Sequence, residues 1–111
     1  MKALFFLSLL PAVVFSFEVL TDSNIKQAVK QWIDNPDDAL DMYGEISLWD
    51  TSQVTNMNSL FYTRGTFNDD ISGWNVAKVN DMGSMFHEAW AFNQDISGWN
   101  VANVKLMRSM F

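Results

Sequence analysis

The chain has 111 residues, 49% hydrophobic and 18% charged, which is the balance of one small folded domain and excludes the disordered class. With no cysteine and one histidine, disulfide scaffolds, thiolate zinc sites, cysteine nucleophiles and His-rich metal cages are excluded together. Thirteen acidic residues against seven basic ones give a net charge of −6, the wrong sign for neutralising phosphates, so no nucleic acid is expected as a partner.

The N-terminal segment reads as a secretory signal peptide over residues 1–16. Lys2 precedes an apolar run from Ala3 to Leu10, Pro11 ends it, and Val14-Phe15-Ser16 resembles a cleavage site. Ala3 to Phe17 is 15 residues, short of the roughly 20 that a spanning helix needs, so no membrane span is expected in the mature chain. No cysteine follows the run to carry a thioether lipid, and no Asn-x-Ser/Thr sequon is present. The expected location is secreted or at the cell surface, outside the cell.

Residues 17–45 are expected to form a helical N-terminal cap. Ile25, Ala28, Val29, Trp32 and Ile33 fall at i, i+3, i+4, i+7 and i+8, one apolar stripe of a helix, with Asp22 or Ser23 placed to cap its first amides. A second short helix is predicted from Asn35 as cap, Pro36 in the first turn, Asp37 and Asp38 at its positive end, and Gly44 as terminator. The Asn-Pro-Asp-Asp cluster is read as capping and dipole chemistry, not as a metal site. This segment also holds most of the acidity: seven acids, Glu18, Asp22, Asp34, Asp37, Asp38, Asp41 and Glu45, against Lys26 and Lys30.

From residue 46 the chain repeats with a period of 25. Writing 46–61 over 71–86 over 96–111 aligns Ile46/Ile71/Ile96, Trp49/Trp74/Trp99, Val54/Val79/Val104, Met57/Met82/Met107, Ser59/Ser84/Ser109 and Phe61/Phe86/Phe111 without a gap. The second and third copies agree at twelve of these sixteen positions, and Phe67-Asn68 and Asp70 recur as Phe92-Asn93 and Asp95. A fixed period of this length means an array in which each unit buries its apolar face against its neighbours. The units are 46–70, 71–95 and 96–111, the last incomplete.

Within a unit, Trp74 and Val76 alternate with Gly73, Asn75 and Ala77 as in a short strand, whereas Val79, Met82, Met85 and Phe86 recur as in a short helix. The predicted fold class is therefore α/β: a short solenoid of strand-plus-helix repeats, its parallel strands about 4.8 Å apart, behind the helical cap. Met, Phe and Trp at identical columns are expected to form interior ladders, and Asn68 over Asn93 an amide ladder that satisfies backbone groups of successive turns.

The pattern Phe-Asn-x-Asp-Ile-Ser-x-Trp-Asn-Val-x-x-Val-x-x-Met-x-Ser-Met-Phe, at Phe67 to Phe86 and again at Phe92 to Phe111, resembles the 25-residue repeat of the BspA-like leucine-rich-repeat surface proteins. The helix with Ile25, Ala28, Val29 and Trp32, the acidic Pro turn and Tyr43-Gly44-x-Ile46-x-x-Trp49-Asp50 are similar to the lead-in of that family. The resemblance spans about 66 of the 111 residues. It implies a secreted or surface-displayed leucine-rich-repeat-like solenoid used in adhesion and protein binding, with no catalytic activity. Leu60 in the Met-Phe pair, Lys105-Leu106 in the third copy and the stop inside a unit depart from the pattern. The last suggests a fragment, with an open C-terminal face at Ile96, Trp99, Met107, Met110 and Phe111 through which self-association is expected.

Candidate ligand contacts come from the columns that do not repeat: Tyr62 and Arg64 in the first unit, His87, Glu88 and Trp90 in the second. His87 takes the place of Tyr62 and has no positioned acid in the repeated frame, so a catalytic role is not assigned. Asp70 and Asp95 are read as turn formers, not as calcium ligands. Trp49, Trp74 and Trp99 are read as a buried ladder, whereas Trp90, where the first copy has Gly65, belongs to no ladder and, if exposed, is the best candidate contact residue. No catalytic residue, metal ligand or cofactor is expected. The expected function is a non-enzymatic binding or adhesion module with a protein or glycan ligand on a surface. The alternative is the repeat portion of a larger extracellular protein or enzyme whose active part lies beyond residue 111.

Overall fold

The computed structural model describes residues 16–111. The signal-peptide reading of 1–16 thus lies, but for Ser16, outside the described residues. No helix among the described residues is long and apolar enough to cross a membrane.

Helix α1 spans Ile25–Asp34 and buries Ile25, Ala28 and Val29, with Trp32 and Ile33 half-buried against the core. Its apolar stripe is the one that the 3.6-residue period predicts. The capping differs from expectation. Asn24 holds the cap position, and its side chain ties back to the Thr21 N–H at 2.8 Å and to the Val19 carbonyl at 2.8 Å. Asp22 is drawn away to the repeats: its carboxylate accepts from Thr55 N–H at 2.7 Å, Thr55 Oγ1 at 2.6 Å and Asn56 N–H at 3.1 Å. Three donors offered by a neighbouring turn outweigh one helix amide, so the predicted cap is instead a staple between cap and first repeat.

Helix α2, Pro36–Tyr43, starts with Pro36 in its first turn and ends at Gly44 with φ 78°. Asn35 occupies the cap position without a side-chain hydrogen bond. Gly44 is required twice over, because a Cβ there would meet Phe17 Cε2 at 2.9 Å in addition to the left-handed backbone. A short 3-10 turn, Ile46–Leu48, leads into the repeats.

The strand-plus-helix α/β solenoid is not what the repeats form. Beyond the 3-10 turn, residues 49–111 contain no helix and no sheet; they are successive turns, with two isolated parallel bridges, Asn56 to Asp81 and Asp81 to Leu106. At the expected strand, Trp74 and Val76 are buried and Asn75 is exposed, so the alternation is real. The backbone nevertheless bends, because Asp70 Oδ1 accepts from Ser72 N–H at 2.9 Å, Asn75 Oδ1 from Ala77 N–H at 3.0 Å, and Trp74 N–H returns to the Ile71 carbonyl. These local side-chain bonds take the backbone groups that a ladder would need.

The expected helix at Val79 to Phe86 is replaced by a more economical use of its peptides. Met82, Ser84 and Phe86 donate to the Leu106, Arg108 and Met110 carbonyls of the next repeat at 2.7–2.9 Å. Between them, Met85, His87 and Ala89 donate three residues back to Met82, Ser84 and Phe86. The same alternation joins Met57, Ser59, Phe61 and Thr63 to Asp81, Gly83, Met85 and His87 at 2.8–2.9 Å. What permits it is a left-handed residue in each turn: Ser59, Ser84 and Ser109 have φ 58°, 54° and 55°. An L-residue there costs about 1–2 kcal/mol and stops a helix from propagating. Turns closing over three residues still bring every third side chain to one face, which is why the sequence spacing looks helical.

The core follows the repeat columns. Met57, Met82, Val54, Val79, Phe61 and Phe86 are all at most 3% exposed. Trp49 and Trp74 stack with ring centroids 6.0 Å apart, and Phe61, Phe86 and Phe111 follow one another at 5.5 Å. Each indole N–H is satisfied inside: Trp74 by the Ile46 carbonyl at 2.8 Å, Trp99 by Ile71 at 3.1 Å, and Trp49 by Gly44 at 2.9 Å. The expected amide ladder takes a particular form, with Asn68 Oδ1 accepting the Asn93 N–H at 2.7 Å. In 96–111, Trp99 is buried and Ile96 and Met110 are half-buried, whereas Met107 and Phe111 are exposed.

Two sets of outcomes test this architecture. Met82→Ala and Trp74→Ala are expected to lose roughly 2–5 kcal/mol of stability. Ser84→Gly should raise the melting temperature and Ser84→Val lower it, the order required by positive φ; a gain from Ser84→Ala with a loss from Ser84→Gly would mark a helical backbone instead.

The staple has its own pH signature. Partial burial pushes the Asp22 carboxyl up, but the Thr55 and Asn56 hydrogen bonds outweigh it and hold the group below its ordinary value of 3.8. Its stabilisation is complete above that value and is lost as pH falls through the lower folded value. Asp22→Ala is expected to cost about 1 kcal/mol at neutral pH and to make the acid limb of stability below about pH 4 shallower, the lowered Asp34, Asp50, Asp70 and Asp95 keeping the rest of it, as read by chemical denaturation across pH.

Candidate binding surface

The non-repeating columns, 62–66 and 87–91, leave the core side by side. Thr63 N–H donates to the His87 carbonyl at 2.8 Å and Ala91 N–H to the Gly65 carbonyl at 3.2 Å, so the two segments lie next to each other. Thr63 and Glu88 occupy equivalent left-handed positions with φ 59° and 57°. A β-branched residue in that region is a local outlier of the kind found where a loop is held in a fixed presentation.

This arrangement gathers the candidate contacts. Tyr62, 46% exposed, stacks on His87 with ring centroids 5.5 Å apart and an interplanar angle of 11°. Trp90 is 80% exposed and lies over Gly65, near enough that its Cδ1 would be 3.4 Å from a Cβ there. His87 Nδ1 is buried without a hydrogen-bond partner, and its Nε2 is 3.9 Å from Glu88 Oε2, beyond hydrogen-bond reach. Tyr62 and His87 thus form a short aromatic strip, with Glu88 next to it in the chain, and Trp90 is exposed separately over Gly65.

Arg64 turns from that strip toward α1. Its guanidinium is 3.7 Å from Asp34, which also receives Lys30 Nζ at 2.7 Å. The Lys30 hydrogen bond, with the charges of Lys30 and Arg64 adding to it against a smaller desolvation that pushes the other way, holds the Asp34 carboxyl below the ordinary range. Arg64, Tyr62 and Ser59 share an open groove of about 470 Å³ with Lys26, Gln27 and Lys30 of α1. The two lysines lie more than thirty residues from Arg64 in sequence, so their convergence was not readable. The signal available was only that Lys26 and Lys30 avoid the buried stripe of α1.

The Asp positions considered for calcium serve turns. Ser72 holds the Asp70 carboxyl, and Ser97 the Asp95 carboxyl, below the ordinary range through side-chain and backbone hydrogen bonds. Among the described residues no three His, Asp or Glu side chains converge in a metal-holding group.

The structure defines a class: a domain of stacked turn-built repeats behind a two-helix cap, with an aromatic strip on its non-repeating columns. The chain belongs to the family described as Mycoplasma protein of unknown function, DUF285, whose model matches residues 23–111. No curated protein and no solved structure matches it.

Proposed function

We propose that the protein is a non-enzymatic binding or adhesion module, secreted or displayed at a cell surface, which engages a surface ligand through Tyr62, Arg64, His87, Glu88 and Trp90. The observation that carries this reading is the contrast between columns. The repeated Trp and Met and the Phe61/Phe86 column of the first two units are buried, whereas Trp90, on a column that does not repeat, is 80% exposed, three residues along the chain from the His87 that stacks on Tyr62. A large aromatic left in water on a rigid turn costs little ordering entropy on binding and is the usual centre of an interface hot spot. The resemblance of the repeats to those of the BspA-like surface proteins supports the same reading at the level of sequence. The charged start and short apolar run of 1–16 support export.

Two measurements test the proposal. Trp90→Ala and Tyr62→Ala are expected to lower binding on a panel of immobilised extracellular proteins and oligosaccharides by roughly 2 kcal/mol while shifting fold stability by less than about 0.5 kcal/mol. An unchanged binding profile would remove the strip from the function. N-terminal sequencing of secreted material should begin at or near Phe17, and intact Met1 in a cytosolic fraction would end the export reading.

A further inference from the structure

The chain carries a net charge of −6, yet three of its seven basic side chains, Lys26, Lys30 and Arg64, line one groove. Asp34, next to Lys30 and Arg64, is the acid that these cations contact. Lys26 takes part in no salt bridge among the described residues, and the Arg64 contact is long at 3.7 Å, which leaves an excess of positive charge over the groove. An exposed pair such as Lys30–Asp34 adds little stability, so folding does not explain the gathering of three cations there.

The groove is built from two parts of the fold. Lys26 and Lys30 stand one helical turn apart on α1, and the turn of the first repeat supplies Tyr62 and Arg64. Tyr62 lines the groove and its ring stacks on His87, which restrains its plane before a ligand arrives. Gln27 and Ser59 add neutral hydrogen-bonding groups between the charges.

We infer that this groove binds an acidic oligosaccharide, a sugar chain bearing carboxylate or sulfate groups. The inference rests on the binding-module reading above and names its ligand class. Pyranose rings offer flat C–H faces to a fixed aromatic plane such as Tyr62 and hydroxyls to Gln27 and Ser59. Carboxylate or sulfate groups match the planar fork of Arg64 and the ammonium groups of Lys26 and Lys30. An open, cation-lined groove whose one aromatic wall is Tyr62 is a shallow surface and not the deep apolar pocket that anchors a peptide side chain.

The test uses the full chain on immobilised uronic-acid and sulfated oligosaccharides, their neutral counterparts, and polyglutamate. Binding to the acidic sugars is expected to exceed that to the neutral sugars and to polyglutamate, and to weaken from about 50 mM to about 300 mM salt. The double variant Lys26→Gln/Arg64→Gln should lose about tenfold in affinity, whereas Lys78→Gln, outside the groove, should stay within about twofold. Unchanged melting curves for all variants confirm that binding alone is affected. Preference for polyglutamate, equal binding of neutral sugars, or indifference to the double variant overturns the inference. If ligands on the broader panel still depend on Trp90 in that case, the binding-module reading stands and only the ligand class fails. If nothing depends on Trp90 or Tyr62, both fall.

Discussion

Everything in this fold depends on the alternating use of peptide groups made possible by one left-handed serine per repeat. A helix would direct all its N–H groups along its own axis, and a strand would direct them all sideways. Here, with Ser59 and Ser84 at positive φ, every other N–H closes a local turn and those between cross to the next repeat. Buried backbone groups must be paired, and this pattern pairs them within the coil and between coils at once. The energetic cost of the left-handed residues is offset because each turn gains bonds on two sides.

Side chains then convert that backbone lattice into a core. The 25-residue offset places Trp on Trp and Phe on Phe with nearly parallel rings, and Trp74 and Trp99 each return an indole hydrogen bond to the preceding unit. Burial of an aromatic ring contributes most of its stabilisation through area removed from water, and the internal bond removes the penalty for the buried N–H. The first unit has no preceding repeat, and the cap substitutes for one. Gly44 supplies the carbonyl for Trp49, Trp32 and Tyr43 pack on the Trp49 ring, and Asp22 binds the Thr55 turn.

The surface proposed for binding is a consequence of the same lattice. Columns that must face the stack are fixed by packing, whereas within 62–66 and 87–91 Tyr62, Thr63, Glu88 and Trp90 are exposed and only Ala89 turns back into the core. Their backbone is still clamped by the Thr63–His87 and Ala91–Gly65 hydrogen bonds, so variation in side chains is presented on a rigid frame. Surface loops on rigid scaffolds are where recognition is commonly placed.

The sequence by itself determined which residues are buried and where the units begin. The stripe of α1, the Pro36–Gly44 limits of α2, the interior Trp and Met columns of the first two units and the place of Trp90 outside every ladder were all legible, because burial follows from periodicity. It did not determine the backbone that carries them. A spacing of three is shared by a helix and by consecutive three-residue turns, and an alternating pair such as Trp74 and Val76 is shared by a strand and by a bent link whose amides are taken by Asp70 and Asn75. Which one forms is decided by where the hydrogen bonds go, and their partners, Leu106, Arg108 and Met110 for Met82, Ser84 and Phe86, lie a whole repeat away. The same holds for the Lys26–Lys30–Arg64 groove and the Asp22 staple, contacts between distant segments that only tertiary packing brings together.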